Sequence, residues 1–143
     1  MAATRTAETH WEGNLKEGGG EVRLVSSGIG TYPVSWPART EQPNGMTSPE
    51  ELIAGAHSAC FSMSVANELV KAGNPAPTSI DTKADVTFQP GQGITGVQLT
   101  VSAVVPDIDA EAFQAAISAA EESCPVSRAL AGTTITVQAS LAE

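Results

Sequence analysis

Residues 48–72, SPEELIAGAHSACFSMSVANELVKA, constrain the chain more than any other stretch, because they read as one long helix that is apolar nearly all round. Ser48 offers a hydroxyl to the free amides of the first turn, Pro49 fits the first helical position, and Glu51 is placed to close a capping box. Gly73, Asn74 and Pro75 end the helix. One polar stripe passes through Glu50, His57, Ser64, Glu68 and Lys71, with Cys60 on its border. A single sheet covers one side of such a helix. The other side needs a further layer, and a second copy of the chain is the simplest supplier, so the pattern predicts a homodimer with the long helices in its interior.

The flanking segments supply the sheet. Alternation over residues 4–12 and 21–26, joined through Gly18, Gly19 and Gly20, predicts a hairpin, and Tyr32, Val34 and Trp36 a weaker edge strand broken by Pro33 and Pro37. A polar loop, residues 38–47, leads into the helix and contains Arg39. Beyond it, Ile80, Thr82, Ala84, Val86 and Phe88 alternate with polar residues, QPGQG turns the chain, and Val97, Leu99, Val101, Ala103 and Val105 form the antiparallel return strand. Asp109 caps a second helix with Phe113, Ala116, Ile117 and Ala120 on its apolar face, which continues to Cys124. Pro125 opens a short further turn, and Ile135, Val137, Ala139 and Leu141 face one way in a last strand. The order predicts a single α+β domain over residues 1–143 with a mostly antiparallel sheet.

Charge and cysteine usage narrow the function. Sixteen acidic against seven basic residues give a net charge of −9, which works against a phosphate backbone and excludes nucleic acid as a primary partner. Residues 1–13 lack a signal peptide's apolar core, and His57, Glu68 and Lys71 interrupt the long helix as no membrane span would accept, so the expectation is a cytoplasmic protein without membrane contact. A reducing compartment disfavours a standing disulfide between the two cysteines, and neither histidine lies at metal-ligand spacing from a cysteine, so no metal or cofactor is expected. Packing or redox chemistry remains. By spacing alone packing is the better reading, because a thiol in apolar surroundings is inert unless a cation stabilises its thiolate.

The run PEELIAGAHSACFSM, the later CPVSRAL and the opening THWEGNL together resemble the OsmC family of thiol-dependent hydroperoxide reductases, in its OsmC rather than its Ohr branch. The resemblance covers essentially the whole chain. It implies an intertwined homodimer whose mostly antiparallel sheet wraps two long central helices, and an antioxidant, stress-response peroxidase acting on organic hydroperoxides and, less well, on hydrogen peroxide. It also implies that Cys60 is the peroxidatic cysteine and Cys124 the resolving one, with Glu50 and Arg39 as the family's glutamate and arginine and Arg128 the next candidate for the latter.

The implied chemistry is explicit. The Cys60 thiolate attacks the distal peroxide oxygen, an alcohol leaves, and Cys124 condenses with the resulting sulfenic acid. An external dithiol, which the family resemblance implies to be of lipoyl type, then reduces the disulfide. Arg39 holds the thiolate and polarises the peroxide while Glu50 orients the guanidinium. Glu50 and Cys60 stand ten residues apart, roughly 15 Å along one helix, so they cannot share a site within it. Two helices crossing antiparallel at Gly55 and its alanine neighbours would bring Glu50 of one chain to Cys60 of the other. His57 reads as a histidine hydrogen-bonded within the interface, and the competing functional class is a non-catalytic, stress-associated binding or redox-sensing dimer of the same fold.

Overall fold

The computed structural model describes all residues, Met1–Glu143. The chain divides into two compact units, Met1–Leu52 and Ile53–Glu143. In the first, strands β1 (Ala7–Glu12), β2 (Gly19–Leu24) and β3 (Thr31–Val34) form an antiparallel sheet in that order. Gly20 faces Trp11 across the sheet, and a side chain there would meet the His10 carbonyl at 2.5 Å and the Trp11 ring at 2.9 Å. β1 is exposed along its whole length.

A short helix, α1 (Trp36–Thr40), replaces the start of the expected loop. Ser35 caps it, its Oγ accepting from the Ala38 amide at 3.1 Å, and Pro37 lies in the first turn. A parallel bridge between Val34 and Thr47, with the Thr47 amide donating to the Pro33 carbonyl at 3.0 Å, returns the chain to the start of the long helix, α2 (Pro49–Lys71). The cap of α2 departs in one respect from a capping box. Ser48 Oγ accepts from the Glu51 amide at 3.1 Å, but the Glu51 carboxylate accepts from the Thr47 hydroxyl at 2.6 Å. Gly73, at φ 87°, ends the helix in the left-handed conformation that a Cβ disfavours.

The second unit contains β4 (Ser79–Gln89), β5 (Gly93–Val104), α3 (Ala110–Ser123), α4 (Pro125–Ala129) and β6 (Thr134–Leu141). β4 and β5 pair antiparallel, Ser79 opposite Val104, whereas β6 runs parallel to β5, Gly96 opposite Thr134. A parallel neighbour requires a crossover, and α3 with α4 forms it. The fold is therefore α+β with mostly antiparallel pairing, carried in two three-stranded sheets. The core of this unit joins Phe61, Val65 and Leu69 of α2, Val97, Leu99, Val101 and Ala103 of β5, and Phe113, Ala116, Ile117 and Ala120 of α3. Each large side chain fully buried here contributes about 1.5–3 kcal/mol.

The burial of α2 is not what its polarity suggests. Glu50, His57 and Glu68 of the polar stripe are buried, while Leu52, Met63 and Val70 are exposed. His57, Phe61, Val65 and Glu68 follow one another at spacings of four, four and three, a stripe turned inward by the packing of the aromatic and aliphatic members. The exposed line runs through Leu52, Ala56, Ala59, Met63 and Val70, with half-buried Ala66 between the last two. Those spacings alternate four and three, the period of a helix-pairing seam.

Candidate active site

In the first unit, α1 presents Arg39 and the first turn of α2 presents Glu50. The guanidinium grips the carboxylate side-on, Nε at 2.9 and 3.2 Å from the two oxygens and Nη2 at 2.8 Å from Oε2. The Arg39 Cζ also lies 5.8 Å from the centre of the Trp36 ring, one turn earlier in α1. Glu50 is buried and Arg39 half-buried, so the pair is shielded from water and its geometry is fixed. A cavity of about 360 Å³ with a mostly apolar lining adjoins it, bounded by Trp11, Val22, Val34, Trp36 and Leu52 as well as Arg39. Such a cavity suits an apolar group carrying a polar end for the guanidinium.

The second unit holds both thiols. Cys60 projects from α2, and Cys124 stands at the break between α3 and α4, where it is both the last residue capping one helix and the first capping the next. Pro125 causes that break, since a residue before proline is driven to extended backbone, and Cys124 has ψ 116°. The two Sγ atoms are 3.4 Å apart and both cysteines are free. Cys124 is completely buried and Cys60 partly exposed.

Their environments separate their acidities. Burial pushes the Cys60 thiol above its ordinary range and the nearby Cys124 adds to this, against weaker stabilisation from the Val126 amide and Ser64. Burial also pushes Cys124 upward, but hydrogen bonds from the Ser127 side chain and amide, from Cys60 and from the Val126 amide outweigh it, so this thiol lies below its ordinary range.

His57, one turn before Cys60, is fully buried, with Nε2 2.7 Å from Ser127 Oγ and Nδ1 without a hydrogen-bond partner. Burial lowers its pKa, so the ring is neutral.

The structure thus brings Cys60 to Cys124 and Arg39 to Glu50. Arg128 is exposed on α4, Glu51 belongs to the helix cap, and Arg23 pairs with Glu8 on the outer sheet. Ser127 is the polar partner that sequence reasoning missed. Its one signal is a hydroxyl three residues beyond Cys124, just after a proline that starts a helical turn.

The OsmC-like protein family model matches residues 42–140. The chain is 42% identical over 133 residues to the peroxiredoxin OsmC of Escherichia coli K12, covering 91% of this chain and 92% of that protein. It is 24% identical over 116 residues to the organic hydroperoxide resistance protein OhrB of Bacillus subtilis, covering 80% and 85%. Among solved structures, an organic hydroperoxide resistance protein OsmC from Legionella pneumophila superposes with a TM-score of 0.72 at 21% identity, covering 100% of this chain and 99% of that one. An OsmC-like protein from Mycoplasma pneumoniae gives 0.73 at 15% identity, with both chains covered in full.

Proposed function

We propose that this chain, which belongs to the OsmC-like protein family, is a cysteine-based peroxidase that reduces organic hydroperoxides to alcohols, and hydrogen peroxide more weakly. The observation that carries the reading is the pair of free thiols 3.4 Å apart, one partly exposed and one buried behind it. The exposed member, Cys60, attacks the distal oxygen, the alkoxide leaves as alcohol, and Cys60 becomes a sulfenic acid. Cys124 displaces the hydroxyl to form a disulfide, whose roughly 2 Å bond needs only a small closing of the existing gap. An external dithiol, of lipoyl type by family expectation, restores the thiols, in keeping with a cytoplasmic protein and with residues 1–143 acting as one functional domain.

Attack by Cys60 requires a thiolate, which its burial opposes. A fixed cation must therefore be brought to it, and Arg39, oriented by Glu50, is the suitable group. Roughly 15 Å of helix axis separates Glu50 from Cys60. We therefore assign the cation to the partner subunit of a homodimer whose α2 helices cross antiparallel near Gly55, where an added Cβ would meet nothing within 4 Å. The apolar seam on the exposed side of α2 supports that contact.

The catalytic reading is tested by mixing the reduced protein with an organic hydroperoxide and excess dithiol. Steady consumption that disappears in Cys60→Ser is expected, and no turnover, or turnover unchanged by that substitution, would sink it. Site sharing is tested with mixed dimers of Cys60→Ser and Glu50→Ala chains. One site per mixed dimer retains both groups if sites are shared, giving about half the wild-type activity, whereas complete loss would refute sharing.

A further inference from the structure

His57 and Ser127 are both buried, and the chemistry above gives neither a task. They meet each other: His57 Nε2 lies 2.7 Å from Ser127 Oγ, a bond from α2 to α4 between residues 70 apart in the chain. Their places match those of the thiols. His57 precedes Cys60 by three residues on α2, and Ser127 follows Cys124 by three in α4. The hydrogen bond and the 3.4 Å contact between the sulfurs therefore join the same two stretches of chain, about one helical turn apart.

Cys124 makes no side-chain cap on α4, so its sulfur stands where the backbone puts it. Val126 and Leu130 pack against the core, but apolar contact is non-directional and leaves a five-residue helix free to tilt. A hydrogen bond constrains both distance and angle. His57 Nδ1 has no hydrogen-bond partner, and a proton placed there would be a buried N–H without an acceptor, so the ring proton sits on Nε2 and is donated to Ser127 Oγ. Separating the two residues would strand both polar groups away from bulk water, which holds the tie closed.

We propose that this bond is a clamp for disulfide closure: by tying α4 to α2 beside the thiols, His57 and Ser127 keep Cys124 Sγ at reacting distance from Cys60 Sγ. The inference rests on the peroxidase reading. Atoms about 3–3.5 Å apart already stand in a near-attack arrangement, and a displacement of about 1 Å is enough to slow a reaction severely. In the step itself, the Cys124 sulfur gives an electron pair to the Cys60 sulfur, the S–O bond of the sulfenic acid breaks, and the hydroxide takes the proton lost by the Cys124 thiol and leaves as water. Cys124 is oxidised and the sulfenic sulfur reduced, each to the disulfide level. His57 and Ser127 neither give nor take a proton here. They are positioning residues, acting through the placement of α4.

The test follows one turnover of the full-length reduced protein with tert-butyl hydroperoxide, reading peroxide consumption for the first step and, after acid quench and alkylation, disulfide by mass spectrometry for the second. Ser127→Ala and His57→Phe should each slow closure about fivefold, as expected for one hydrogen bond, with peroxide consumed at the wild-type rate. Ser127→Thr keeps the hydroxyl and should close as wild type does, and either single variant carries this arm if the other does not fold. The double variant separates a clamp from two unrelated packing defects. Acting through one bond, the two substitutions together should slow closure about fivefold rather than about twenty-five-fold. A further readout needs no peroxide: at equilibrium with dithiothreitol, the Cys60–Cys124 disulfide should be about fivefold less favoured in Ser127→Ala, because the clamp holds the thiols together before they are joined. Wild-type closure in the single variants, an unmoved dithiothreitol equilibrium, or multiplicative slowing in the double variant would each overturn the inference and leave the peroxidase reading intact. A Cys124→Ser protein that forms no dimedone-trapped sulfenic acid on Cys60 would instead overturn that reading, and the inference with it.

Discussion

Cys124 is completely buried, with its Sγ 3.4 Å from that of Cys60, although the two cysteines lie 64 residues apart in the chain. Pro125 fixes its place by breaking the helix at Cys124, which ends α3 and begins α4. Cys60, Cys124 and Glu50 stand out as candidates in the sequence because they lie in the two runs that resemble a family, whereas Arg39 lies in a loop of no fixed spacing. The contact between His57 and Ser127 is not legible there, because it joins residues 70 apart and depends on how α4 seats against α2. That buried ring carries a prediction for stability. Its pKa in the folded chain lies below the ordinary 6.5, so the unfolded chain binds the proton more readily. Stability supplied by keeping His57 neutral is fully present above about pH 6.5 and is lost as pH falls through the folded value. Thermal melts should therefore be flat from pH 7 to 8 and decline on acidification beginning near 6.5. In His57→Phe the decline should begin only where carboxylates protonate, below about pH 5. An identical onset in both proteins would show that another group controls acid stability.

At the level of elements, α2 was legible almost to its end residues, since Ser48, Pro49 and Gly73 each act locally and do not depend on distant packing. The alternation of β4 and β5 was legible for the same reason. What local signals did not convey was α1, although Ser35 and Pro37 are the marks of a helix start, because its five residues contain too few apolar positions to show a period. Nor did they convey the parallel pairing of β6, since alternation fixes which face is buried and not which way a strand runs. The Ser48 cap holds the first turn of α2, the turn that carries Glu50. Ser48→Ala removes the acceptor from the Glu51 amide and should cost about 1 kcal/mol, lowering the melting temperature by roughly 2–5 °C. The companion Ser48→Asp should melt within about 1 °C of wild type, because aspartate caps as well and adds a favourable charge at the helix start. A Ser48→Ala protein as stable as wild type would mean that Thr47 and Glu51 fix the helix start without it.

For the whole molecule, the decisive quantity is the apolar surface that the single chain leaves uncovered. Leu15 and Ile29 in the first unit, and Met63 and Val70 on α2, are each more than half exposed. A stable homodimer covers about 800 Å² per partner, more than one helical seam provides, so the proposed interface must extend beyond α2. In the proposed dimer the seam would control the contact, because the small, exposed Gly55, Ala56 and Ala59 leave room for a second backbone to approach. Ala59→Arg places a long cation at that crossing without touching any residue of the buried core. Light scattering after gel filtration should give the mass of two chains for wild type and of one chain for Ala59→Arg, with unchanged circular dichroism. Hydroperoxide turnover should fall to background in the monomer, since Arg39 and Cys60 would then have no partner chain through which to meet. Ser140→Arg, on the exposed face of β6, should leave both mass and turnover as in wild type. A monomeric Ala59→Arg protein with full turnover would show that one chain completes the site alone, and the cation for Cys60 would then have to be sought within it.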